Sequence, residues 1–207
     1  MNIIQTRKLQ LARGHRQTLA LPDLSLDDNE RLFLLGASGR GKTSLLHALL
    51  GFVPIHDGEL HIFGRERRRE ADFIPLRGPL GLLFQDPVDQ LFGPSVADDV
   101  AFGPLNQGHS REQAGKMTQS TLRTLQLEHL AERPVQQLSG GEQRLVALAG
   151  ILAMSPRALL LDEPSNGLDD AACERLVDCL LATRLPMLIA SHDDKLVDRL
   201  GTRTLSL

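Results

Sequence analysis

The stretch GASGRGKT, residues 36–43, sets two glycines, a lysine and a threonine at the spacing G-x-x-x-x-G-K-[ST]. Glycines in such a loop let backbone N–H groups turn inward around phosphate oxygens, and the start of a following helix adds the positive end of its dipole. Gly36, Ala37, Ser38, Gly39, Arg40, Gly41, Lys42, Thr43 and Ser44 are read as a nucleotide-phosphate site. Lys42 is placed to reach the β- and γ-phosphates, and the Thr43 hydroxyl to ligate Mg2+. A glycine turn that merely caps a helix is the alternative. It leaves unexplained the apolar run RLFLLG, residues 31–36, which leads into the loop as a buried strand should.

A second chemical pair follows far along the chain. LLLDEP, residues 159–164, puts Asp162 and Glu163 at the C-terminal end of another apolar run, the edge where open α/β sheets bind ligands. Asp162 would hold Mg2+, usually through water, and Glu163 would orient and activate an attacking water. Two acids after a strand also make a helix cap; their pairing with the phosphate loop favours the chemistry. Between them, QQLSGGEQ, residues 136–143, offers a second glycine-rich helix start, suited either to a phosphate or to capping its own helix.

The elements needed to position these groups can be read from periodicity. KLQLA and TLALPDLSL, near the start, alternate weakly and predict an antiparallel flank, and GELHIFG, residues 58–64, predicts a further strand. GLLFQ, residues 81–85, reads as a buried strand ending at Gln85. The next stretch is rich in Gln, Pro and helix formers, with REQAGKMTQSTLRTLQL amphipathic at a 3.6 period. A βα rhythm then returns through ALLLDEP, PMLIAS and TRTLSL. The expectation is one α/β domain over residues 1–207 with a mostly parallel sheet. Residues 1–85 and 147–207 form its nucleotide-binding core, and residues 86–146 a helical subdomain. RERRRE, residues 65–70, is read as a solvated loop because acids interrupt its run of arginines.

Composition narrows the function classes. Of 207 residues 42% are apolar, enough for a core, and the net charge of −3 with no Trp or Tyr argues against a nucleic-acid partner that stacks bases. Cys173 and Cys179, the two cysteines, make no zinc framework or disulfide scaffold, which fits a reducing compartment. No apolar run reaches the length of a membrane span, so any membrane work needs other chains.

With these motifs in place, the chain resembles the ATP-binding subunit of an ABC transporter, an ATPase with the P-loop NTPase fold. LSGGE, residues 138–142, matches that family's signature motif. In the family two subunits pair head to tail, and the signature of one caps the γ-phosphate held by the other. The resemblance therefore gives Leu138, Ser139, Gly140, Gly141 and Glu142 to a partner's ATP. It makes Gln85 a sensor of Mg2+ and the lytic water, and has Asp169 of SNGLD reaching across the dimer. His192 of IASHD becomes the switch histidine at the γ-phosphate. His47, on the helix after the loop, is read as a packing residue.

A narrower likeness lies in FQDPVDQLFGPSVADDVAFGPLNQG, residues 84–108, which is similar to the energy-coupling-factor ATPases that drive bacterial uptake of cobalt, nickel and vitamins. It implies transmembrane partner subunits, a second ATPase subunit, and a place on the inner face of the cell membrane. Either residues 88–96 line a groove for a partner's helix, or Val88, Leu91, Phe92 and Val96 pack the subdomain's own core. Two departures stand out. The adenine-stacking aromatic expected before the loop is replaced by LARGHRQ, so either Arg13 or His15 substitutes for it or the stack is missing. The sequence also ends 15 residues after His192, without the C-terminal dimerisation segment of many such ATPases, so pairing is expected to rest on ATP and the membrane partner.

DNA-maintenance ATPases of the same fold need long coiled coils between Gln85 and Leu138, for which the 52 residues there leave no room. Translation-factor relatives carry two such domains in one chain. A non-hydrolysing regulatory subunit is disfavoured by Glu163 and His192.

Overall fold

The computed structural model describes residues 2–13, 17–37 and 39–207. They divide into two compact units, the first made of Met1–Leu82, Arg157–Glu163 and Leu185–Leu207, the second of Leu83–Pro156 and Pro164–Arg184.

The chain opens with the antiparallel strands β1 (Asn2–Arg13), β2 (Gln17–Ala20) and β3 (Leu24–Asp27). β1 pairs with both of the others. Alternation buries Ile4 and Thr6, then Leu9 and Leu11. A register shift between Arg7 and Gln10, with Lys8 at φ 47°, leaves both Arg7 and Lys8 facing water. β4 (Arg31–Leu35) then runs into the glycine loop and helix α1 (Lys42–Ala48). β5 (Ile55–Ile62) returns to pair with β1, and β6 (Arg65–Glu66) closes a hairpin on it. After the short α2 (Glu70–Phe73), β7 (Leu80–Leu83) leads out of the first unit.

The arginine cluster departs from the solvated loop expected of it. Two of its residues form β6, and Arg67 is buried. Its guanidinium donates to the carbonyls of Asp72 at 2.7 Å and Ile62 at 3.3 Å. Those bonds offset the cost of desolvating the charge.

In the second unit, α3 (Val96–Asn106) and α4 (Arg111–Thr124) pack on each other and on α5 (Gly140–Ala153). Ser110 and Gln113 cap α4 reciprocally, as the run S-R-E-Q permits. The helix buries Ala114, Thr118 and Leu122, one stripe at a spacing of four.

β8 (Ala158–Asp162) re-enters the first unit, α6 (Asp170–Thr183) packs with α5 in the second, and β9 (Met187–Ala190), α7 (Asp194–Leu200) and β10 (Arg203–Ser206) complete the chain. The second sheet has the order β10-β4-β9-β8-β7, and the pairs β10–β4, β4–β9 and β9–β8 are parallel. Every residue of β8 and β9 is buried, as strands read from unbroken apolar runs should be. The α/β architecture with its antiparallel flank and helical subdomain is therefore as expected.

Candidate functional site

The expected site residues fall into both units. The glycine loop, Asp162, Glu163 and His192 belong to the first; Gln85, Leu138–Glu142 and Asp169 belong to the second.

In the first unit the loop leaves β4 at Gly36 and enters α1 through Gly41, whose φ of 101° lies in the left-handed region. A side chain there would be strained, and its Cβ would also strike the Leu19 side chain at 2.4 Å. Ser38 lies outside the described residues. Lys42 Nζ donates to the Gly36 carbonyl at 2.6 Å and to that of Ala37 at 3.4 Å, so its charge sits over the loop. Arg40 is exposed, and Thr43 and Ser44 on the first turn of α1 are half-buried.

Asp162 ends β8, buried at 1% exposure. Burial above all pushes its carboxyl up from the ordinary aspartate value, and the neighbouring charge of Glu163 adds to this. A bond from the Thr43 side chain opposes the rise, as do the charges of His47 and Lys42. Its Oδ2 is buried without a hydrogen-bond partner. An unsatisfied carboxylate oxygen beside a threonine hydroxyl and close to a lysine is the donor set of a hard divalent cation bound with phosphate, so the residues present fit Mg2+.

Glu163 follows with φ 47°, a conformation uncommon for any residue but glycine, asparagine or aspartate, held by its N–H donating to the Ala190 carbonyl at 2.8 Å. Its side chain is nearly covered, yet Oε2 lies 2.9 Å from Nδ1 of His192, whose own side chain is 75% exposed. That hydrogen bond, then the glutamate's charge, pushes the imidazole above its ordinary value. His192 is carried on a short connector whose neighbours are locked. Ser191 is buried, and Asp193 caps α7 by accepting from the N–H groups of Lys195 and Leu196. The geometry thus gathers a cation over a glycine loop, two largely covered carboxylates and an accessible imidazole.

In the second unit the signature residues form the N-terminus of α5. Ser139 Oγ accepts from Glu142 N at 3.3 Å, and Glu142 Oε2 accepts from Ser139 N at 2.7 Å. The backbone bond from Ser139 pulls the Glu142 carboxyl below its ordinary value. Capping is therefore real, and the Ser139 side chain also hydrogen-bonds the Glu142 carboxyl, which adds to the lowering. Ser139 and Gly140 are exposed, and the first amides of a helix have no partner within it. Leu138, buried, anchors the turn beneath them. Asp169 is exposed and caps α6, accepting from Ala172 N at 2.7 Å. Gln85 lies two residues beyond β7 rather than ending a strand, and is exposed.

Residues 88–96 split between the two alternatives. Val96 is core, whereas Val88 and Phe92 are 61% and 60% exposed. Phe92 stands edge-on to Phe102 with ring centroids 4.5 Å apart. Sequence reading missed Asp99, whose buried carboxylate accepts from the N–H groups of Phe92 and Gly93 and so fixes this turn. Its position, four residues after the cap Ser95, is the signal that was there. His47 packs edge-on to Phe52, and its charge reaches Asp162 as well. His15, a candidate for the adenine, lies outside the described residues, as does the side chain of Arg13.

The family described as ABC transporter matches residues 19–166. An uncharacterized ABC transporter ATP-binding protein of Haemophilus influenzae is 47% identical over 206 residues, covering 100% of this chain and 95% of the relative. The energy-coupling factor transporter ATP-binding protein EcfA of Methanosphaera stadtmanae is 36% identical over 179 residues, 84% of this chain and 64% of its own. Among solved structures, cbiO1 from Clostridium perfringens, part of the ABC transporter complex cbiONQ, superposes with a TM-score of 0.88 at 28% identity, covering 99% of this chain and 84% of that one.

Proposed function

The chain belongs to the ABC transporter ATP-binding family, and from that premise we propose how its residues are used. As an ATP-binding, ATP-hydrolysing subunit it must hold triphosphate, activate water and pass the result to membrane subunits. Among the described residues no helix is long and apolar enough to cross a membrane.

The loop of residues 36–44 holds the phosphates of ATP, with Lys42 neutralising the β and γ groups. Thr43 and Asp162 would hold Mg2+, which when bound screens the phosphate charge and polarises the γ group. The family pattern gives Gln85 to the same metal and water. Glu163, kept aimed by its strained backbone, takes the proton of the attacking water. His192 holds a proton at Nδ1 against Glu163 and presents Nε2 to solvent, where a γ-phosphate oxygen could take it up. Exposed Ser139 and Gly140, with half-buried Gly141 beside them, offer the unpaired amides of the helix start to the ATP of a second ATPase subunit. Asp169 would complete that pairing. The observation that carries the catalytic reading is the Glu163–His192 contact beside Asp162.

The finer reading is a motor for an energy-coupling-factor-type importer of a metal ion or vitamin, lying on the inner face of the membrane. It is supported by the similarity to EcfA and cbiO1 and by the exposed Val88, Phe92, Phe102 and Leu105 on one unit, a surface suited to an apolar partner helix. The test is uptake of labelled cobalt, nickel and B-vitamins by cells carrying the intact transporter or its Glu163→Gln form. Loss of uptake of one cargo in the variant is expected. Unchanged uptake of all of them, with export of any substrate impaired instead, would overturn the importer reading.

A further inference from the structure

Arg144 stands five residues after Ser139 on α5, and only 4% of it is exposed. Its Nη2 donates to the main-chain carbonyl of Gln85 at 2.8 Å. A buried guanidinium is costly unless its N–H groups are used, and one of them is used on a loop. That loop is braced on both flanks of Gln85. Gln90 Oε1 accepts from Phe84 N at 3.3 Å, and Asp86 Oδ1 accepts from Val88 N at 3.0 Å. The main chain of Gln85 is therefore held while its side chain stays exposed.

We propose that Arg144 is a positioning residue that ties Gln85 to the signature helix, so that a nucleotide state read at Gln85 is felt at Ser139. This rests on the roles given above to Gln85 and Ser139. The link is short and stiff: five residues of helix span about 7.5 Å along its axis. Residues 144–149 of that helix are all buried, so it moves as a body. A shift of the Gln85 carbonyl must either break the bond or carry the helix start with it.

A double-mutant cycle on the purified full chain tests this, with thermal melts as the control for folding. Arg144→Met is expected to bind ATP within about twofold of wild type and to lower kcat about tenfold. Combined with Gln85→Ala, it should be no slower than Gln85→Ala alone, within about twofold, because both changes cut one connection. If the two effects multiply instead, or if a folded Arg144→Met keeps wild-type kcat while Gln85→Ala is slow, the inference is overturned and the site reading stands. A fully active Gln85→Ala would remove the site reading and this inference together. Should Arg144→Met not fold, Arg144→Lys carries the same cycle, since lysine keeps the cation but not the forked donor. Coupling to Gln85→Ala then supports the link, and strict independence overturns it.

Discussion

Two carboxylates, one in each unit, follow the same elementary rules to opposite ends. Asp162 is buried at the tip of a strand, its ionisation opposed by burial, with one oxygen unsatisfied. Glu142 sits on the first turn of a helix, where a backbone N–H favours its charge and it stabilises the element it belongs to. The lesson is about cost. The phosphate-loop cluster keeps a buried charge and a left-handed glutamate that a fold optimised for stability alone would discard. The signature helix start is comfortable by itself and exposes its remaining donors. On the proposed reading, one region does the chemistry and the other is met by a partner subunit.

The largest effect that sharpens this contrast is on Glu163. Glu163→Gln should retain ATP binding and lower phosphate release by about 100-fold or more, the usual range for a positioned base. The same variant should let the His192 titration midpoint, followed by NMR, fall back toward its ordinary value, because the glutamate is what raises it. Near-normal turnover or an unmoved midpoint would break the assignment.

Next is Phe92, exposed and so not part of the core. Phe92→Ala should leave the melt unchanged and weaken association with the membrane subunit about tenfold or more, the scale of an aromatic anchor. A large fall in Tm, of the kind that follows a core cavity, would return the residue to the core.

Smaller, and opposite in sign, is Asp162→Asn. Removing a buried charge whose ionisation is disfavoured should raise stability by about 1 kcal/mol, or about 2–4 °C in Tm, in nucleotide-free protein, while abolishing Mg2+-dependent turnover. A destabilised variant would mean that the carboxylate is satisfied after all. The smallest effect concerns Glu142. Its folded value is depressed, so its contribution is present above the ordinary glutamate value and is lost as pH falls through the lowered folded value. Wild type should therefore lose part of its advantage over Glu142→Gln only in acid, as urea titrations at neutral and acidic pH would show.

How much of this was legible beforehand depended on how local the cause is. Strands β4, β8 and β9 announce themselves as apolar runs, and α4 as an amphipathic stretch at a 3.6 period. The loop around Lys42 is legible because the glycine spacing is itself the backbone geometry. What stayed hidden is held by contacts between distant residues. Arg144 reaches a carbonyl 59 positions away, and Gly36 lies so close to Leu207 that a Cβ would come within 2.9 Å of its carbonyl. Neither leaves a period in the sequence. Arg67 is hidden for a related reason: a charge cluster does not reveal which of its members finds carbonyls to bond.

On the proposed reading, the helix starts after Gly41 and Ser139 serve one nucleotide held between two chains. Lys42→Ala should lose ATP binding, and Ser139→Ala should bind ATP singly but not dimerise on it, at a folding cost of only about 1 kcal/mol for the lost cap. Mixing the two inactive proteins allows a dimer with one undamaged composite site, and ATPase activity should reappear, greatest near equal proportions. Activity that stays at the sum of the two separate variants at every ratio, with both proteins folded, would contradict the account.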